Sequence, residues 1–254
     1  QGGNNIFPVI PVSPVVNLHD ANFLFGIISI LVVKIHFKVS KLSMKILLKI
    51  YRLLFKHFGA QHWWPGETVE EIIIGAVLTQ NTNWGNVERA IENLKRARAL
   101  SLKKIVTLAP GTLSNLIRPS GYYNVKAKRL WAVADYFVRR CDADFSKLEM
   151  NPTDELRGEL LSVHGVGRET ADSILLYALN RPVFVIDAYT LRIGRRHNFL
   201  SDKDNYESAR ALFERSLKRD VQLYNEYHAL FVRLGKEYCR PRPICVTCPL
   251  FNKI

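Results

Sequence analysis

One stretch limits the architecture more than any other: Leu160 to Asp187, reading LLSVHGVGRETADSILLYALNRPVFVID. Gly165 and Gly167 flank Val166, and glycines at that spacing permit a turn whose backbone N–H groups point outward, an anion-binding nest at a helix N-terminus. A phosphate would fit there. After the turn, Ala171, Ile174, Leu175, Ala178 and Leu179 recur at helical spacing, and Asn180 with Pro182 ends the run. The segment reads as helix end, tight hairpin, buried helix, short extended run and carboxylate.

The remaining pattern is helical as well. Residues 44–58 form an amphipathic basic helix, with Ile46, Leu47, Ile50, Leu53, Leu54 and Phe58 on one face and Lys45, Lys49, Arg52 and Lys56 around the other. Thr68 and Glu71, at capping-box spacing, start the apolar helix EEIIIGAVLTQ. Spaced apolar residues predict helices near 86–100, 102–109 and 112–117, with breaks at Pro110 and Gly111, then a basic helix ending near Arg140 and another over 153–162. AYTLRIGRRHNF, YESARALFERSLK and the segment from Val221 to Tyr238 continue the helical period. No alternating strand pattern appears apart from PVFVI, and the fold expected is all-α.

The chain has 254 residues and a formal net charge of +13, so a polyanion is the expected partner and nucleic acid comes ahead of a membrane surface. Phe23 to Val33 is apolar but short of the roughly 20 residues a membrane span needs, and its flanks do not suit a signal peptide. Residues 1–43 read as an extension without catalytic work, the domain starting at Met44; a buried extra helix over 22–38 is the alternative.

Several loops carry residues suited to a site. In GAQHWWPGE, Trp63 and Trp64 cannot share one helical face, so at least one should line a cleft. Gln80 lies in the polar loop LTQNTNW, and its amide could also cap the preceding helix. In RPSGYYNVKAKRL a bulky side chain on a turn, bordered by Lys126, Lys128 and Arg129, suits a wedge between base pairs while the charges hold phosphate. Of four cysteines, Cys239, Cys245 and Cys248 stand in CRPRPICVTCPL, which suits a metal or cluster better than a disulfide framework.

Hairpin, buried helix and aspartate together resemble the helix-hairpin-helix signature of the DNA glycosylase superfamily that includes endonuclease III. The family hairpin L-P-G-V-G-(R/K)-K-T-A stands here as Val163, His164, Gly165, Val166, Gly167, Arg168, Glu169, Thr170 and Ala171, and Asp187 follows Glu169 by 18 residues, the family register. The resemblance implies two helical lobes: a six-helix, barrel-like domain with the hairpin over residues 63–181, and a second domain from residues 44–62 and 182–254 with the cysteine loop. It implies that Asp187 is catalytic, against the plainer reading of a helix N-cap. It implies DNA contacts from Gln80, Tyr122 as the wedge, Lys126, and His164, Gly165, Val166, Gly167 and Arg168 of the hairpin. Glu169 stands where bifunctional members carry a Schiff-base lysine, and a carboxylate forms no imine, so lysine-dependent strand cleavage should be absent. The loops QHWWPGE, LTQNTNW and RPSGYYNVKAKRL look like the 3-methyladenine DNA glycosylase subgroup, in which Trp63 and Trp64 would form the base pocket. An electron-poor alkylated purine stacks well on indoles.

In many family members C-terminal cysteines hold a [4Fe–4S] cluster, but only three stand here and a fourth ligand is not found; zinc on three thiolates, or no metal, are the alternatives. The partner expected is double-stranded DNA containing damaged bases, met by a cytoplasmic monomer without membrane attachment, at the nucleoid in a prokaryote. Competing expectations are a glycosylase for oxidised, deaminated or mismatched bases, and a module that only binds DNA.

Overall fold

The computed structural model describes residues 44–254, and the expectations for the first 43 residues lie outside that range. Every regular element among the described residues is helical: α1 over residues 44–58, α2 Val69–Leu78, α3 Trp84–Arg96, α4 Leu102–Thr107, α5 Pro110–Leu116, α6 Tyr123–Cys141, α7 Thr153–Ser162, α8 Arg168–Ser173, α9 Ala188–Arg196, α10 Tyr206–Ser216 and α11 Val221–Glu237. None is long and apolar enough to cross a membrane. Pro110 does not break its helix. It starts α5, where its missing N–H costs no hydrogen bond and its fixed φ suits the first turn.

Two hydrophobic cores organise the helices. The first gathers Ile73, Ile74 and Val77 of α2, Leu130, Val133 and Phe137 of α6, and Ala171, Ile174 and Leu175 after the hairpin. The second gathers Leu47, Ile50 and Leu54 of α1 with Phe184, Ile193, Phe213, Tyr227 and Phe231. Helix α8 runs on as a π-helical turn over Ile174–Ala178. That wider turn changes which side chains share a face. Ile174, Leu175 and Ala178 enter the first core while Leu176 and Tyr177 enter the second. Trp64 and Ile72 pack against both cores.

Capping fixes the starts of the helices that matter for the site. Thr68 Oγ1 accepts from Glu71 N at 3.1 Å at the start of α2, and Asp187 Oδ1 accepts from Thr190 N at 2.6 Å at the start of α9. Helices α9 and α11 approach closely because residue 235 is glycine: a Cβ there would lie 2.3 Å from the Tyr189 ring. That contact sets Asp187 beside the helix that carries His228.

A buried ion pair ties the hairpin helix to its neighbours. Asp172, fully buried, accepts from Arg157 Nε at 2.6 Å, Arg157 NH2 at 3.1 Å and Tyr206 OH at 2.7 Å, and Arg157 also reaches Glu207 at 2.8 Å. Burial raises the Asp172 carboxyl despite Arg157 and Tyr206, which pull the other way. The pair therefore holds α7, α8 and α10 in register more than it adds net stability.

Candidate active site

The hairpin is built by one backbone requirement and one strut. Gly165 has φ +82°, and a Cβ there would lie 2.2 Å from Arg129 Cγ, so both conformation and space demand glycine. Gln80 Nε2 donates to Gly165 O at 3.1 Å and to Thr170 Oγ1 at 3.0 Å, and its Oε1 accepts from Arg129. Val166 turns inward to the first core, while His164, Gly167 and Arg168 are exposed. Gly167 differs from Gly165: its φ is −92° and a Cβ would meet nothing within 4 Å. No side chain caps the N–H groups that follow it. The bare backbone at that point faces outward at a helix N-terminus, the arrangement that receives a phosphate oxygen.

Asp187 lies 7% exposed on the wall of a cleft of about 1080 Å³ whose lining also includes the hairpin, Gln80 and Glu169. Its Oδ1 is occupied by Thr190, from the backbone N at 2.6 Å and from Oγ1 at 2.8 Å. Its Oδ2 stands 3.7 Å from His228 Nε2. One oxygen therefore caps α9, while the other has His228 as its polar neighbour in the cleft, beyond hydrogen-bond distance. Glu169 is exposed to the cleft, yet protein surrounds it there, and this desolvation, with Asp187 adding repulsion, pushes its carboxyl up to about 7. Two carboxyl groups thus share the cleft, and Glu169 holds its proton to near neutrality.

Part of the lining is aromatic. Trp63 and Trp64 meet edge-on with centroids 5.4 Å apart, Trp84 closes on them at 5.9 and 5.2 Å, and Tyr177 lies 5.1 Å from Trp64. The two indole N–H groups of Trp63 and Trp64 are buried without a hydrogen-bond partner. Trp84 follows Gln80 in the same loop, so the signal that marked Gln80 could have marked it. His228 also lines the cleft, with Tyr177 buried behind it against Trp64, and neither was singled out by sequence; the only hint was a polar atom on each of two otherwise apolar helical faces.

Other expected residues fall as follows. Tyr122 is 74% exposed and in left-handed conformation immediately before α6. Gln80 is only half-buried, but its amide is spent on the hairpin rather than free to enter a duplex, so in this structure it acts as a strut. Lys126 requires correction. It is 1% exposed and its Nζ donates to Leu78 O at 2.8 Å and Ser120 O at 2.7 Å, satisfying carbonyls at the end of α2 and in the turn before α6. Burial, with Arg129 adding to it, lowers the amine to about 8, and no phosphate can reach it. Its place one turn into α6 points it inward, where the basic composition of the segment gave no warning.

Cys239 is buried with Arg196 NH1 at 3.4 Å from its Sγ, Cys245 is exposed and Cys248 is half-buried. Burial first, then the neighbouring Cys239 and Cys245, raises the Cys248 thiol. Cys141 lies in the first core and donates to Phe137 O at 3.2 Å, so it cannot join them. A cubane takes four protein ligands. Among the described residues Cys239, Cys245 and Cys248 supply three thiols, one short of that set, and no group is arranged to hold a metal ion.

Comparison with known proteins gives consistent results. Residues 74–219 match the HhH-GPD superfamily base excision DNA repair protein family. The chain is 48% identical, over 80% of its length and 92% of the relative's, to a Methanocaldococcus jannaschii protein whose name assigns it provisionally to the DNA repair glycosylases. It is similar to the structure of a Helicobacter pylori 3-methyladenine DNA glycosylase bound to 1,N6-ethenoadenine, with 32% identity, TM-score 0.62, and coverage of 76% of this chain and 97% of that one. A non-covalent endonuclease III–DNA complex shares the fold at TM-score 0.70 and 20% identity, covering 82% of this chain and 92% of that one.

Proposed function

Because the chain belongs to the HhH-GPD superfamily of base excision DNA repair proteins and is a DNA glycosylase of that family, we propose that it removes alkylated purines such as 3-methyladenine from double-stranded DNA by hydrolysis, leaving an unbroken abasic strand. The observation that carries this reading is the pairing, in one cleft, of Asp187 with an open carboxylate oxygen and a wall of Trp63, Trp64 and Trp84.

A base in the stack is out of reach, so the duplex is gripped and opened first. Exposed N–H groups from Gly167 onward and the Arg168 side chain hold the backbone, and Tyr122 fills the gap left by the extruded nucleotide. The indole faces receive the base. An alkylated purine is electron-poor and cationic, and attraction to an indole face favours it over a neutral base. As the glycosidic bond breaks, positive charge grows on the sugar; Asp187 Oδ2, with no ion pair to neutralise it, stabilises that charge and orients water. A cationic purine is already a good leaving group, so less help is asked of the protein.

Glu169 at the hairpin position supplies no amine. Lys236 is the amine-bearing side chain that lines the cleft, from α11. The reading is hydrolysis without Schiff-base formation, on the ground that the hairpin position lacks an amine; borohydride trapping of protein to DNA tests it, and an adduct through Lys236 would overturn it. For Cys239, Cys245 and Cys248 a structural cluster stands as a proposal that needs a fourth donor; iron and sulfide analysis of anaerobically purified protein reads it, and a colourless, iron-free active enzyme removes it. A panel of duplexes, each with one lesion, tests the substrate: release of thymine glycol or uracil without release of 3-methyladenine would transfer the enzyme to the oxidised or deaminated class.

A further inference from the structure

One buried polar atom at the cleft has no part in the chemistry above. His228 is 6% exposed, and its Nε2 has no hydrogen-bond partner although it lies 3.7 Å from Asp187 Oδ2. A buried polar atom left unmatched is uncommon in a folded protein, and at a catalytic carboxylate it points to a role. The other ring nitrogen, Nδ1, is bonded to the hydroxyl of Tyr177, itself buried and in contact with Trp64. Burial, then Asp187 and Glu169, hold the Tyr177 phenol well above its ordinary range, so the hydroxyl keeps its proton and has it available to donate to Nδ1. Burial also holds His228 below the ordinary histidine range against the pull of Asp187, so the ring is neutral. A neutral imidazole that accepts at Nδ1 carries its proton on Nε2, the atom that faces Asp187.

We propose that Tyr177 and His228 form a fixed relay that positions Asp187: the His228 Nε2–H closes onto Oδ2 when the sugar enters the cleft, and with Thr190 on Oδ1 it aims the carboxylate at the anomeric carbon. The inference rests on Asp187 as the carboxylate that faces the sugar. A separation of 3.7 Å is too long for a hydrogen bond in the free protein, and catalytic bonds of this kind commonly shorten on substrate binding. His228 acts through Asp187, so it is a positioning residue, and no proton leaves the relay. The groups that bear on the ring are Asp187 at the start of α9, Tyr177 and Glu169 of the α8 segment, and Lys236 two turns along α11.

Two substitutions separate this role from packing. His228→Gln keeps an N–H donor where Nε2 stands, and His228→Leu keeps bulk without the donor. Single-turnover excision is measured across pH on the lesion the unaltered protein releases fastest, with affinity for an abasic-analogue duplex alongside. The leucine variant is expected to lose about 10- to 100-fold in rate with unchanged affinity, and its acid limb is expected to move to higher pH because Asp187 has lost a donor to its charged form. The glutamine variant is expected to keep most of the rate. A leucine variant as fast as the unaltered protein, or equal losses in both with an unmoved acid limb, would overturn the relay. Should His228→Leu not fold, Tyr177→Phe, which frees the tautomer while keeping the ring, is read by the same shift. Nitrogen-15 NMR of the histidines needs no substrate: Nε2 protonated and Nδ1 bare between pH 6 and 8 is expected, and the opposite tautomer overturns the proposal. If no lesion is released at all, the assigned function has failed while the tautomer still decides the relay.

Discussion

Asp187 caps α9 with one oxygen and lines the cleft, so one substitution separates the observed cap from the catalytic role proposed for it. Asparagine caps a helix about as well as aspartate, so Asp187→Asn should fold and bind lesion DNA normally while single-turnover excision falls by about 100-fold or more for lack of charge at the sugar. Glu169 gives a prediction in stability. Its carboxyl is raised to about 7 by desolvation and by Asp187. Below its unfolded value of about 4.3 both states hold the proton and the shift has no effect; between there and 7 the unfolded chain ionises while the native state keeps its proton, so stability falls across that window and levels off above 7. Glu169→Gln should therefore melt like the unaltered protein at pH 4 and increasingly above it towards pH 8, as scanning calorimetry would read. The position of Asp187 at a helix start was legible because its register to the hairpin is local in sequence. The inward course of Lys126 was not, because the carbonyls that claim it, Leu78 and Ser120, come from a different helix and the preceding turn.

At the scale of elements the hairpin contains two glycines with different reasons to exist. Gly165→Ala places a methyl group against Arg129 in a left-handed backbone and should cost about 2 kcal/mol or more, seen as a lower midpoint in urea. Gly167→Ala meets nothing in the free protein, so stability should hold while DNA affinity falls by about 10-fold or more, as the methyl group obstructs a charge-assisted bond to phosphate. Sequence spacing marked both glycines alike; only φ and the course of Arg129 tell them apart. Arg157→Met leaves the Asp172 carboxylate buried and unpaired, and should destabilise the protein by about 3–5 kcal/mol in denaturant titration. Helix existence was legible almost throughout, since apolar spacing is strong in every segment. The role of Pro110 and the π-helical turn after Ser173 were not, because both depend on how the ends of helices meet their neighbours.

Over the whole molecule, two cores exchange side chains along one continuous helical segment, and the cleft is lined by residues of both. This is why the aromatic wall was only partly visible in the sequence. Trp63 and Trp64 declare themselves by adjacency, but Trp84, Tyr177 and His228 join them only once α3, the α8 segment and α11 converge. The excess positive charge and the hairpin were enough to foresee a nucleic-acid partner. The central claim is hydrolysis of an alkylated purine nucleoside at Asp187 without an amine at the hairpin. It is tested most directly by incubating the purified protein with a duplex bearing a single 3-methyladenine and borohydride, then measuring free base, strand integrity and protein–DNA adduct together. The account expects free 3-methyladenine, an unbroken strand and no adduct. An adduct in step with base release, or a strand cut by β-elimination before any alkali is added, would contradict it.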